Sequence, residues 1–341
     1  MDQPLPLLPD AMAEAAPLLR VEQLAVEFAV PGGAAVPAVR AADFSLRAGE
    51  CLGIVGESGS GKSVTALAIM GLLARPAARI TSGRILLDGE DLLALPAEEM
   101  RRLRGGAVAM IFQEPMSSLN PAFTIGDQIA EAVRAHAKVS VREARDRTVE
   151  LLRQVRISAP ERRFDEYPHR LSGGMRQRVM IAMALAGDPR LLIADEPTTA
   201  LDVTVQAQIV ELLRSIQAER GTAILLISHN LGLIAGLAND IAVMYAGRVV
   251  EHGPVGRILG QPEHPYTVGL LGAVPRAEPG DRPLVGIEGM VPDLRRPPPG
   301  CVFNPRCPFA EAACLAEAPA LRVMAPGHRS ACHLAPLEGV A

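Results

Sequence analysis

An apolar run from Cys51 to Val55 leads into Gly56-Glu57-Ser58-Gly59-Ser60-Gly61-Lys62-Ser63, and a helix-like stretch from Val64 to Leu73 follows. Strand, glycine loop and helix in that order leave few folds open to the chain. The glycines let the backbone curl so that successive N–H groups point inward. The helix N-terminus adds partial positive charge, and the loop becomes a cradle for β- and γ-phosphates. Lys62 is placed to neutralise those phosphates, and the Ser63 hydroxyl to reach Mg²⁺. From average residue usage, a chance match to this pattern in the chain is on the order of one per cent. Its placement between strand and helix lowers that further, so Gly56, Glu57, Ser58, Gly59, Ser60, Gly61, Lys62 and Ser63 are all candidate nucleotide-binding residues.

A second buried-strand run, Leu191-Leu192-Ile193-Ala194, ends in the carboxylates Asp195 and Glu196 at what would be the active edge of a parallel sheet. Alone, the pair would read as an acidic helix cap. Beside a phosphate loop the two acids take different roles: Asp195 in the Mg²⁺ shell, Glu196 as general base on the attacking water. His229 closes another strand-like run, Ala223 to Ser228, and is the candidate sensor of the γ-phosphate. Gln113, after Ala107 to Phe112, is placed to report metal and water to a neighbouring element. A second glycine turn, Leu171-Ser172-Gly173-Gly174-Met175, would by itself be an ordinary entry into a helix.

Taken together these elements resemble the ATP-binding cassette family, in its usual order: phosphate loop, Gln113, the signature Leu171 to Met175, the acidic strand, Ala200-Leu201-Asp202, and His229. The resemblance covers roughly residues 18–257. It implies an α/β P-loop NTPase fold with a RecA-like core, an antiparallel β subdomain and an inserted helical subdomain. It also implies two cassettes docked head to tail, each ATP held between one subunit's phosphate loop and the other's signature. Ser172, Gly173 and Gly174 would touch that ATP, Asp202 would couple the two sites, and Phe28 is the best match to the aromatic that stacks on adenine. Ser63, Gln113 and Asp195 would hold Mg²⁺.

Met175 stands where many cassettes carry glutamine. Gly173-Gly174-Met175-Arg176-Gln177-Arg178 looks like a variant of one branch, and so do Gln113 to Pro121, Thr198 to Thr204 and His264-Pro265-Tyr266-Thr267. These segments are similar to the ATPase subunits of dipeptide and oligopeptide importers, whose relatives include nickel-type members. That resemblance implies a second ATPase, identical or homologous, two transmembrane permease subunits and an extracytoplasmic solute-binding protein. It implies a peripheral place on the cytoplasmic face of the inner membrane. A nickel or small-solute motor, an exporter motor, and a non-transport cassette acting on DNA or ribosomes are the alternatives. The last would need a long coiled coil or a second cassette, and the chain shows one phosphate loop and no sustained heptads.

The 341 residues can bury one large core plus an appendage, and the net charge of −4 argues against a nucleic-acid partner. No apolar run approaches the ~20 residues that cross a bilayer. Residues 1–17, with Pro4, Pro6 and Pro9 and no basic segment, read as a mobile tail rather than a signal peptide. Residues 18–257 read as the nucleotide-binding domain, with the helical subdomain at about 120–171. Within it, Thr124 to Arg156 carries charges such as Glu143, Arg145, Asp146 and Arg147 on what is most simply a solvated helix face.

Residues 258–341 read as a C-terminal extension that opens with linker-like, proline-rich chain. Four of the five cysteines crowd into it as Cys301, Cys307, Cys314 and Cys332, spaced C-x₅-C-x₆-C-x₁₇-C. A reducing cytoplasm disfavours disulfides. Zinc, with His328 or His333 as spare ligands, lacks the close cysteine pairs of zinc ribbons. Four thiolates also suit an iron–sulfur cluster. The motif resembles the extension of peptide-importer ATPases, some of which hold a [4Fe–4S] cluster there. Cluster, zinc and unmetallated thiols all stand open. Cys51, in a core strand, is expected to be buried and inert.

Overall fold

The computed structural model describes residues 16–113, 118–199, 201–273 and 286–337. Expectations placed on the tail before residue 16, on 114–117, on Ala200 and on the prolines of 274–285 lie outside the described residues. The strands are β1 (Leu19–Phe28), β2 (Val36–Leu46), β3 (Cys51–Val55), β4 (Ala78–Leu87), β5 (Glu90–Asp91) and β6 (Val108–Ile111). They continue as β7 (Leu191–Asp195), β8 (Ala223–Ile227), β9 (Asp240–Tyr245), β10 (Arg248–Pro254), β11 (Arg322–Ala325) and β12 (His328–Ser330). Among the described residues they form a four-stranded sheet, β2-β1-β4-β5, and an eight-stranded sheet, β11-β12-β10-β9-β3-β8-β7-β6.

The short apolar runs become the inner strands of the larger sheet. β3, β6, β7 and β8 are buried at every residue, as parallel strands covered on both faces must be. β6, β7, β8, β3 and β9 run parallel in that spatial order. Alternate residues feed opposite cores. Leu191 and Ile193 join Ile54 and Ile69 on one side, while Leu192 and Ala194 join Ile181, Leu213 and Ile234 on the other. The first side is closed by the helix Lys62–Ile69 and the antiparallel sheet. The second is closed by the helices Gly173–Ala184 and Val203–Arg220. The α/β cassette architecture expected from the motif order is the one observed.

The inserted segment forms two capped helices. Thr124 accepts from the Asp127 N–H at 3.1 Å to start Ile125–His136, and Ser140 with Glu143 makes a capping box that starts Val141–Gln154. Ile125, Ile129, Val133, Leu151 and Leu152 are buried, whereas Glu143, Arg145, Asp146 and Arg147 are exposed. The charged face is therefore a solvated one. β9 returns into β10 through Ala246 and Gly247, both left-handed (φ 47 and 80), the two-residue turn whose twist matches a hairpin. Its Gly247 N–H donates to the Ser60 carbonyl at 3.0 Å and its carbonyl accepts from the Arg40 N–H at 2.6 Å. The hairpin tip is thus knitted to the phosphate loop and to β2.

After Arg257 the structure departs from the linker-like reading at the two ends of the extension, while the described residues 286–300 carry no helix or strand. Pro265 occupies the first turn of a helix, Pro265–Gly272, where its missing N–H is not needed. His264 caps that helix, Nδ1 accepting from the Tyr266 N–H at 3.0 Å. Val302 and Phe303 are buried in the main core, and β12 pairs antiparallel with β10 (Glu251 opposite Ser330, His252 opposite Arg329). Proline content marks extended chain but carries no information about an open strand edge elsewhere that such chain can cover.

Candidate functional site

The carboxyl ends of β3, β6, β7 and β8 deliver the candidate residues to one edge, where ligands of open parallel sheets bind. The loop after β3 holds its shape because two of its glycines are obligatory. A Cβ on Gly56 (φ 156) would fall 2.1 Å from the Met244 carbonyl oxygen, and one on Gly61 (φ 99) 2.6 Å from that of Ala38. The Lys62 ammonium donates to the carbonyls of Gly56 (2.7 Å) and Glu57 (2.9 Å) and to Ser60 Oγ (3.3 Å). Burial pushes the Lys62 pKa down, against the opposing pull of Glu196, Asp195 and Glu57.

Ser63 Oγ donates to Asp195 Oδ1 at 3.1 Å. Asp195 is 4% exposed, and its pKa is raised by desolvation first, with Glu196 adding to it while Ser63 and Lys62 oppose. A buried carboxylate and a hydroxyl, both hard oxygen donors beside a phosphate cradle, fit Mg²⁺. That ion takes one or two protein ligands and completes its shell with phosphate and water.

Glu196 has a left-handed backbone (φ 47), a conformation that costs a non-glycine residue about 1–3 kcal/mol. Its N–H donates to the Ile227 carbonyl at 2.9 Å, which fixes it to the neighbouring strand. Its Oε2 accepts from Gln113 Nε2 at 3.0 Å and from Thr199 Oγ1 at 2.9 Å, and Oε1 lies 3.3 Å from His229 Nδ1. Gln113, Glu196 and His229, read separately in the sequence, meet on one carboxylate. Thr199 was missed as a site residue, and its only signal was a hydroxyl three residues after the acid. A carboxylate oriented by two donors on one oxygen, with its other oxygen facing His229, can accept a proton from water.

Ser172 caps the helix Gly173–Ala184, its Oγ accepting from the Met175 N–H at 3.3 Å. The N–H groups of the first turn have no acceptor within the helix. Leu171 is buried in the core and Met175 packs against it. A Cβ on Gly173 would lie 3.5 Å from Leu201 Cδ2, and one on Gly174 only 2.7 Å from Val205 Cγ1. Asp202 caps the helix Val203–Arg220, Oδ1 accepting from the Val205 N–H at 2.9 Å. The segment around Asp202 thus lies directly beside the signature glycines of the same chain. Phe28 is half-buried at the end of β1, opposite Val36 of β2.

The extension also reaches the phosphate loop, which the sequence did not reveal. The Glu57 N–H donates to Tyr266 Oη at 2.9 Å, and its carboxylate receives both terminal nitrogens of Arg306, at 2.6 and 3.1 Å. Tyr245, Tyr266 and Phe303 form the buried aromatic wall behind these contacts, with ring centroids 4.5–5.4 Å apart.

The cysteine expectation divides. Cys51 is buried, its thiol pKa pushed up by desolvation, and so held as the inert neutral group. Burial likewise raises Cys301, Cys332 and Cys307, the last to about 11, with neighbouring thiols adding to each. The four extension thiols are therefore neighbours. They do not converge, however: among the described residues no group of three or more His, Cys, Asp or Glu side chains could hold a metal ion. The proposed spare ligands are engaged, His328 Nε2 lying 2.8 Å from Glu251 and His333 Nε2 2.9 Å from the Glu317 carbonyl. Nothing in this arrangement supports the iron–sulfur expectation at Cys301, Cys307, Cys314 and Cys332, or the zinc alternative. Spacing in sequence does not fix where the sulfurs point.

Comparison with known proteins agrees with this geometry. The ABC transporter family profile matches residues 39–199, and that of the oligopeptide/dipeptide transporter C-terminal region matches 250–314. A putative peptide import ATP-binding protein of Brucella abortus is 51% identical over 317 residues, 93% of this chain and 95% of that one. The dipeptide transport ATP-binding protein DppD of Escherichia coli is 51% identical over 318 residues, covering 93% and 96%. Among solved structures, a dimeric ATP-binding cassette in a post-hydrolysis state bound to ADP and Pi superposes with a TM-score of 0.63 at 26% identity. The match covers 70% of this chain and 98% of that one. With the phosphate loop, the acidic strand and the signature helix all in place, the chain belongs to the ATP-binding cassette transporter ATPases, on the branch that carries the oligopeptide/dipeptide transporter C-terminal region.

Proposed function

We propose that this chain is the ATP-hydrolysing subunit of an importer for di- or oligopeptides. The observation that carries the hydrolytic part is the meeting of Gln113, Thr199 and His229 on Glu196, beside the Ser63–Asp195 pair. The peptide part is supported by the matched C-terminal region and by the relatives named for peptide transport.

In this reading Gly56 to Ser63 bind the triphosphate, with Lys62 exchanging its loop carbonyls for phosphate oxygens, and Phe28 stacks on adenine. Ser63 and Asp195, with Gln113 alongside, hold Mg²⁺, which when bound neutralises phosphate charge. Glu196 takes the proton of the attacking water, and His229 and Gln113 set its orientation. Ser172, Gly173 and Gly174 complete the site of a second cassette, and Asp202 couples the two. ATP binding closes the pair; hydrolysis and phosphate release reopen it.

Residues 18–257 make the cassette, with its helical part at about 120–171 set to meet a permease, and residues 258–341 the extension. The partners are a second cassette, two permease subunits and an extracytoplasmic solute-binding protein. Among the described residues no helix is long and apolar enough to cross a membrane. In this reading contact with the bilayer runs through the permease, at the cytoplasmic face of the inner membrane. The iron–sulfur reading has only cysteine spacing and proximity behind it. Iron and sulfide assay of anaerobically purified protein decides it.

The reading as a whole is tested by reconstituting the chain with its permease and binding protein. Uptake of labelled di- and oligopeptides should be ATP-dependent and stimulate hydrolysis. Stimulation by nickel chelates or sugars, with none by peptides, would replace the cargo while leaving the motor intact.

A further inference from the structure

Glu57 puts a carboxylate into the phosphate loop, where its negative charge opposes a triphosphate. It lies close enough to Lys62 to act on the charge of that ammonium. Arg306, 249 residues further on, answers it with a two-pronged ion pair. The guanidinium is 4% exposed and also donates to the carbonyls of Glu288 (2.9 Å) and Ile287 (3.1 Å) and to Tyr245 Oη (3.3 Å). A fork held by this many acceptors is a fixed element rather than a wandering surface charge.

The rest of Glu57 is pinned as well. Its carbonyl accepts from Lys62 and its N–H donates to Tyr266 of the extension. The second residue of the loop is therefore held by Lys62 on one side and by the C-terminal extension on the other.

We propose that Arg306 is a positioning residue for ATP binding: through its ion pair with Glu57 it neutralises and orients the phosphate loop, so that the extension sets the nucleotide affinity of the cassette. The inference rests on the ATP-binding assignment of the loop. Whatever shifts the turn Phe303 to Cys307 then reaches the nucleotide site directly, without passing through the permease or the partner cassette.

The test is ATP binding to the full-length chain, followed by fluorescent-nucleotide titration, and ATPase kinetics of the assembled transporter. Arg306→Ala should raise the Kd and KM for ATP about tenfold, because the Glu57 carboxylate then stands unanswered in the loop. The kcat should stay within about twofold, because the groups on Glu196 are untouched. Adding Glu57→Gln to Arg306→Ala should bring the Kd back to within about threefold of the parent, since the unanswered carboxylate is gone. Arg306→Lys keeps a cation in place if the alanine variant folds poorly. It should still weaken binding about threefold, because an ammonium cannot fill both carboxylate oxygens. Parental affinity in Arg306→Ala or Arg306→Lys, or weak binding that Glu57→Gln leaves uncorrected, overturns the proposal. Lys62→Ala serves as the control on the loop itself: if it too binds ATP normally, the fault lies with the loop assignment and not with Arg306.

Discussion

Gln113 and Glu196, 83 residues apart, share a hydrogen bond of 3.0 Å from amide to carboxylate. One residue leaves β6 on the way to the helical insert, and the other ends the acidic loop after β7. A change at the carboxylate is therefore felt at the start of the segment that carries the signature. In the proposed reading Gln113 is the hinge at which a phosphate contact becomes a rotation of the helical subdomain.

Replacing Glu196 with glutamine keeps the shape and removes the base. Hydrolysis should fall by about 10² or more while ATP still binds, and the closed cassette pair should accumulate. Single-turnover hydrolysis beside equilibrium ATP binding separates the two effects. Parental turnover would remove Glu196 from the role.

Thr199 holds Glu196 through a hydrogen bond of 2.9 Å from its hydroxyl to Oε2. Thr199→Val should lower kcat by roughly 3- to 10-fold, the size of one lost hydrogen bond to a charged group, with KM nearly unchanged. A rise in KM with unchanged kcat would mean that the hydroxyl serves binding instead.

Gly174 has no room for a side chain, since a Cβ would press on Val205. Gly174→Val should shift the signature turn and abolish ATP-dependent pairing of the Glu196→Gln chain with its partner cassette. Nucleotide binding to the chain's own loop should survive. Light scattering with and without ATP reads the outcome, and intact pairing would mean that the signature does not face the interface.

His252 and His264 are held neutral by burial, their pKa values pushed down to about 4 and about 3. Neighbouring Arg329 and His328 lower His252 further, and a backbone hydrogen bond opposes the shift at His264. The unfolded chain takes up these protons near pH 6.5, whereas the native chain refuses them until far lower pH. The stability they confer is complete above about pH 6.5 and is lost as pH falls toward 4, at about 1.4 kcal/mol per pH unit for each histidine. His264→Asn retains an acceptor for the Tyr266 N–H and should remove roughly half of that slope. Urea denaturation across the window measures it, and an unchanged slope would exclude His264 as a contributor.

What the sequence could disclose was local chemistry. A phosphate loop needs glycines at fixed intervals, an active-edge strand needs apolar residues before its acids, and a signature turn needs a cap, so Gly56 to Ser63, Leu191 to Glu196 and Leu171 to Met175 could be found by spacing. The contacts of Tyr266 and Arg306 with Glu57 span 209 and 249 residues, and no periodicity encodes them. Thr199 stood in view but had no distinguishing neighbour until Glu196 turned back on its left-handed backbone to meet it. The pairing of β12 was not legible because prolines report local stiffness, whereas the position of β12 depends on what β10 leaves unpaired.

That pairing bears on where such a chain can be shortened. β10 carries Glu251 and His252 on a ladder whose outer side is taken up by β12, and the rim of the sheet passes to the short, Arg322-bearing β11. Cut back to its nucleotide-binding portion, the protein would bare a row of backbone donors and acceptors that invites another chain to lie alongside. The backbone of Glu251 and His252, which now pairs with β12, would then become an open edge on which another strand can add.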